Sequence, residues 1–126
     1  MGMNQFISKW NGRCIEDAGS YQSEEFKLFA RELRNALKSE AKKKSMSLAS
    51  FTVGHYFVSG FFEKDQKFVY FQFDVRRYER PIDLFAGDYM NGFLYRSAKN
   101  EKDYTGGQNH FCSCAELMNQ VDHLIA

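Results

Sequence analysis

From Ser23 onward the apolar residues keep a helical rhythm: Phe26, Phe29, Ala30, Leu33 and Leu37 recur at steps of three, one, three and four. That spacing gathers side chains on one face of an α-helix. Ser23 can cap the first turn, and Glu24 and Glu25 suit the positive end of the helix dipole, so a helix is predicted over residues 23–43. A second periodic set lies on the same helix. Lys27, Arg31, Arg34, Lys38 and Lys42 follow at steps of four, three, four and four. At 100° per residue they fall within about 80° of one another, about a third of a turn from the apolar stripe. Folding requires only the apolar seam.

After the run Lys42, Lys43, Lys44 the period shortens to two. Residues 51–62 are rich in aromatic and β-branched side chains and are broken by Gly54 and Gly60, where a bulge or bend is expected. In residues 68–75, Val69, Phe71, Phe73 and Val75 alternate with Phe68, Tyr70, Gln72 and Asp74, and the polar connection 63–67 joins the two segments as a hairpin. A long loop holding Pro81 follows, then a third strand at 93–98 and a glycine-containing connection at 99–108. Ser113 with Glu116 forms a capping box before Leu117, Met118, Val121, Leu124 and Ile125, so the chain closes as a helix. The expected fold is α+β, in the order helix, three antiparallel strands, helix (αβββα), as a single domain over 23–126. Residues 1–22, polar with isolated anchors at Phe6, Ile7, Trp10 and Ile15, read as an amino-terminal arm or short strand.

Composition supports order throughout. A chain of 126 residues suits one domain, and aromatic residues make up 17% of it, 13 of them Phe, which favours a thin sheet covered with rings. The net charge of +1 supplies no whole-molecule attraction to nucleic acid or anionic lipid, so electrostatic binding must be local. No apolar run reaches signal-peptide or membrane-span length. The odd set Cys14, Cys112 and Cys114 lacks a disulfide framework, which points to a reduced, cytoplasmic setting.

Chemistry-bearing patterns are few. His110, Cys112 and Cys114 alternate and would share one face of a strand, but a structural zinc site wants four ligands, and small thiols beside a surface His are the simpler reading. His55 in an aromatic strand reads as a hydrogen-bonded sheet residue. No paired-carboxylate, phosphate-loop or dinucleotide signature is present. Neither catalysis, nor a cofactor, nor a metal is expected. The loop KNEKDYTGGQN, residues 99–109, could cradle an anion at Thr105, Gly106 and Gly107 with Arg96 and Lys99 at its mouth, or could simply be a glycine turn. The remaining basic features are the Lys27 to Lys42 stripe and Arg76, Arg77 and Arg80 around Tyr78. These could hold phosphates and stack a base, while the five aligned cations of the stripe equally suit an acidic partner.

The element order is that of the double-stranded-RNA-binding domain, but Ser113, Cys114, Ala115 and Glu116 stand where that family opens its last helix with basic residues, so its RNA contacts do not carry over. Three strings, GHYFVSGFFEKDQKFVYF at 54–71, DVR at 74–76 and LYRSAKNEKDYTGGQN at 94–109, resemble small uncharacterised proteins of Firmicutes plasmids and conjugative elements. The resemblance spans residue 54 to the carboxyl end and implies an accessory role on a mobile element. An anti-CRISPR inhibitor fits that context. The expectation is a non-enzymatic binding protein that engages a Cas effector, or its guide RNA, through Lys27, Arg31, Arg34, Lys38 and Lys42. The alternative is an RNA- or DNA-binding module that adds Arg76, Arg77, Tyr78, Arg96 and Lys99. Exposed Phe68 and Tyr70 would suit a homodimer.

Overall fold

A computed structural model describes residues 2–15, 23–54, 57–75 and 81–126. Among the described residues the fold is α+β, with three helices and a five-stranded antiparallel sheet rather than the expected two helices and three strands. The first addition is α1, Met3–Trp10, where an arm or short strand was expected. Met3, Phe6, Ile7 and Trp10 sit at helical spacing and are all buried. Eight residues cannot hold a helix alone in water. Packing supplies the difference, because the rings of Phe6 and Trp10 lie 5.4 and 5.3 Å from that of Phe29.

Phe29 belongs to α2, Glu24–Lys43, whose boundaries match the sequence pattern. The Phe26 amide donates to Ser23 Oγ at 3.1 Å, and Phe26, Phe29, Ala30, Leu33 and Leu37 are buried. At the other end Ser45 takes a left-handed φ of 59° and the Met46 amide donates to the Ala41 carbonyl, which turns the chain back along the helix.

The segment at 51–62 is two strands and not one. β1, Ser47–Val53, and β2, Phe57–Lys64, separate at Gly54, whose amide donates to the Phe57 carbonyl. β3, Lys67–Asp74, follows through Asp65 and Gln66, both at positive φ as a tight hairpin turn demands. β4, Phe93–Ala98, and β5, His110–Cys112, complete a sheet in the order β1-β2-β3-β4-β5. Three residues are too few for β5 to show a period in sequence. The last helix, α3, Cys114–Ile125, is capped as expected, with the Glu116 amide donating to Ser113 Oγ at 3.2 Å.

Pairing fixes which side chains share a face. Leu48, Phe51 and Val53 pair with Phe62, Gly60 and Val58, and these in turn with Val69, Phe71 and Phe73. Val58, Phe62, Val69, Phe71 and Phe73 belong to the core beneath the helices. A register shift between Leu48 and Ser50 inserts Ala49 as a bulge, so Leu48 and Phe51 fall on the same side despite an odd spacing. Gly60 lets Phe51 and Phe71 approach to 6.2 Å between ring centroids. A Cβ there would collide with the Ser50 carbonyl.

Candidate partner-binding groove

The basic seam of α2 and the outer strand β1 form the two walls of one groove. Because the chain reverses at Ser45, β1 retraces α2, and the space between them is a cavity of about 560 Å³. Lys27, Arg31, Arg34 and Lys38 line one side with Phe26 and Ala30, and Leu48, Ala49, Ser50, Phe51 and Val53 line the other. All four cations are exposed. Lys42 is exposed too but lies beyond the groove, on the last turn of α2.

Glu32 and Glu40 of α2 take their hydrogen bonds away from this seam. Glu32 accepts from Lys9 Nζ at 2.8 Å and from Trp10 Nε1 at 3.0 Å. Glu40 accepts from the Met3 amide at 3.4 Å and from Lys43 at 3.3 Å. Both carboxylates therefore serve the α1 side of the helix or its end. Partial burial opposes ionisation of Glu32, yet the bonds from Lys9 and Trp10 outweigh it and hold the carboxyl below its ordinary value. On the groove side Lys27 meets Glu24 at 3.3 Å, an exposed pair of small energetic weight. Among the described residues, Arg31, Arg34 and Lys38 form no ion pair.

The second basic group gains less from the structure. Arg76, Arg77 and Tyr78 lie outside the described residues, as does His55. Arg96 is a clasp and not an open contact: its guanidinium stacks 4.6 Å over the Tyr70 ring, donates to Asn109 Oδ1 at 2.9 Å and donates to the Tyr104 carbonyl. The anion cradle at Thr105, Gly106 and Gly107 is filled from within the loop. Asp103 accepts from the amides of Lys99 and Gly106, both at 2.9 Å, and those N–H groups hold its carboxyl below the usual value. Gly107 keeps φ +81° with the Ser97 carbonyl packed where a Cβ would stand. The same loop places Tyr104 against Phe61 and Tyr70, at 5.4 and 5.9 Å, so Tyr70 is buried and not available as a dimer surface. Phe68 is half-buried.

Cys112 and Cys114 do not share a strand face, because β5 ends at Cys112 and α3 begins at Cys114. Both thiols are buried, and burial pushes each up to about 12. Such thiols are poor nucleophiles and poor ligands at neutral pH. Among the described residues no three His, Cys, Asp or Glu side chains converge on a metal-sized site, and no helix is long and apolar enough to cross a membrane.

Sequence periodicity found the cationic wall of the groove but missed Leu48, Phe51 and Val53 as its facing wall. The available signal was the stretch 45–62, in which no Asp, Glu, Lys or Arg occurs. Comparison with protein-family models, curated proteins and solved structures returns no match for the chain.

Proposed function

We propose that this is a non-enzymatic binding protein that engages a macromolecular partner through the groove between α2 and β1. The observation that carries the reading is the segregation of charge on α2, where Glu32 and Glu40 bond on the α1 side or at the helix end while, among the described residues, Arg31, Arg34 and Lys38 form no ion pair. Aligned like charges repel one another, so the fold alone gives no reason for the seam. They face the apolar wall of Phe51 and Val53, and arginine is enriched among the residues that carry most of the binding energy in protein interfaces.

The resemblance of residues 54–126 to mobile-element proteins directs the choice of partner toward a host-defence effector. The specific proposal is an anti-CRISPR inhibitor that occludes a surface of a Cas nuclease, a task needing shape and charge but no chemistry of its own. The test is a target-cleavage assay with a panel of Cas nucleases, comparing the protein with its triple variant Arg31→Glu, Arg34→Glu, Lys38→Glu. Inhibition by the first and not by the second is the expected result. Equal inhibition by both would place the surface elsewhere. The alternative, an RNA- or DNA-binding module, draws on the same five aligned cations and predicts affinity that falls steeply with salt. No gel shift at low salt would remove it.

A further inference from the structure

The groove has a property beyond its cations: one wall is an open sheet edge. Among the described residues β1 pairs with β2 on one side only, so alternate backbone N–H and C=O groups along its other side point away from the sheet. Edge strands are ordinarily blunted by shortness, charge, proline or a bulge. β1 runs seven residues, SLASFTV, with neither charge nor proline. Its one irregularity is the bulge at Ala49, and from Ser50 to Val53 the pairing with β2 is continuous. Phe51 is half-buried and Val53 is 40% exposed, both on the face that α2 overhangs.

Dimensions favour an extended ligand beside this edge. Lys27 and Lys38 are eleven positions apart on the helix, or about 16 Å at 1.5 Å per residue. An extended segment of five residues covers about 17 Å, with alternate side chains on one face. A strand laid against β1 would pass every second side chain beneath the cationic rim. Carboxylates there would reach Arg31, Arg34 and Lys38 while their methylene stems rest on Phe51 and Val53. A nucleic-acid strand could meet the same cations, but it offers no peptide ladder to the edge of β1.

We infer that the groove takes an acidic peptide segment in extended conformation, which adds to the sheet as a further strand along β1 and seats its carboxylates on Arg31, Arg34 and Lys38. The inference rests on the reading of this groove as the partner surface and specifies what part of the partner enters it. The mode is strand addition, in which backbone bonds supply affinity and alternate side chains supply specificity.

The probe is a fluorescein-labelled heptapeptide alternating Glu and Thr, titrated into the full-length protein at low salt and followed by anisotropy and by amide NMR shifts. Saturable binding with shifts centred on 47–53 is expected, weakened about tenfold or more by Arg34→Glu. Methylating the peptide nitrogens at one set of alternate positions should abolish binding, and methylating the other set should not. If neither methylated peptide loses affinity, charge attraction alone is at work and strand addition is wrong. No binding of the parent peptide also overturns the inference. An oligouridylate of matched length forms the second arm: RNA held by the rim with the peptide ignored sinks the acidic strand and leaves the groove as a partner surface. A partner whose capture survives the triple charge reversal sinks that broader reading instead.

Discussion

At one side of the sheet, β5 is three residues long, and the segment that precedes β4 packs at its end. The Cys114 amide donates to the Leu84 carbonyl at 3.1 Å, Gly87 and Gly92 pack against the Cys112 backbone, and Tyr89 meets Phe111 at 5.6 Å between rings. That segment is itself tied to the amino terminus, since Gly12 and Arg13 exchange backbone bonds with Ile82 and the Leu84 amide donates to Asn11 Oδ1 at 2.7 Å. At the opposite side, β1 is seven residues long and its outer edge faces a groove. Both edges could template association with another chain. One is only three residues long and has the segment before β4 packed at its end, whereas the other is seven residues long and is rimmed with cations.

The covered edge should be where substitution costs most stability. Leu84 is fully buried and anchors the covering segment in the core. Leu84→Ala is expected to lower the unfolding free energy by about 2–5 kcal/mol, read from urea denaturation. A loss below about 1 kcal/mol would mean that the segment is an ornament on a self-sufficient sheet.

A smaller effect is expected where α1 is tied to the back of α2. Glu32→Gln weakens the bonds to Lys9 and Trp10 and should cost about 1 kcal/mol, since the Lys9 side of the arrangement is open to solvent. The folded carboxyl titrates below its ordinary 4.5, so its contribution is present above that pH and fades as pH falls through the lowered value. The difference between wild type and Glu32→Gln should therefore shrink on acidification. A pH-independent difference would indicate lost packing rather than lost charge.

The buried thiols report on the β5 edge directly. At neutral pH a maleimide should label exposed Cys14 in the native protein and reach Cys112 and Cys114 only in denaturant. Rapid native labelling of Cys112 would show that the covering segment opens. Because folded thiols near 12 hold their protons beyond the ordinary 9.0, their contribution to stability is intact below 9.0 and declines as pH rises from there toward 12. The smallest effect belongs to the open edge. Reversing Arg31, Arg34 and Lys38 should change stability by about 0.5 kcal/mol or less per residue, a scan by calorimetry checking that the seam is dispensable for folding.

The contrast between the edges also separates what could be read from the chain alone. Both longer helices were legible, because Ser23 and Ser113 cap runs whose apolar residues repeat every three or four positions. The hairpin of β2 and β3 was legible for the matching reason, a clean alternation beside a polar turn. α1 was not, since its four buried residues amount to two turns whose stability lies in Phe29. β1 and β5 escaped as well. The bulge at Ala49 breaks the alternation of the first, and the second is shorter than one period.

For the groove, the five-cation seam of α2 was determined by sequence, because helical geometry converts spacing into a shared face without reference to anything else. What faces that seam was decided by tertiary structure: the reversal at Ser45, the outermost place of β1 in the sheet, and the turning of Glu32 toward Lys9 and Trp10. Each depends on contacts between residues distant along the chain, and a local pattern holds no record of which partner such a residue will meet.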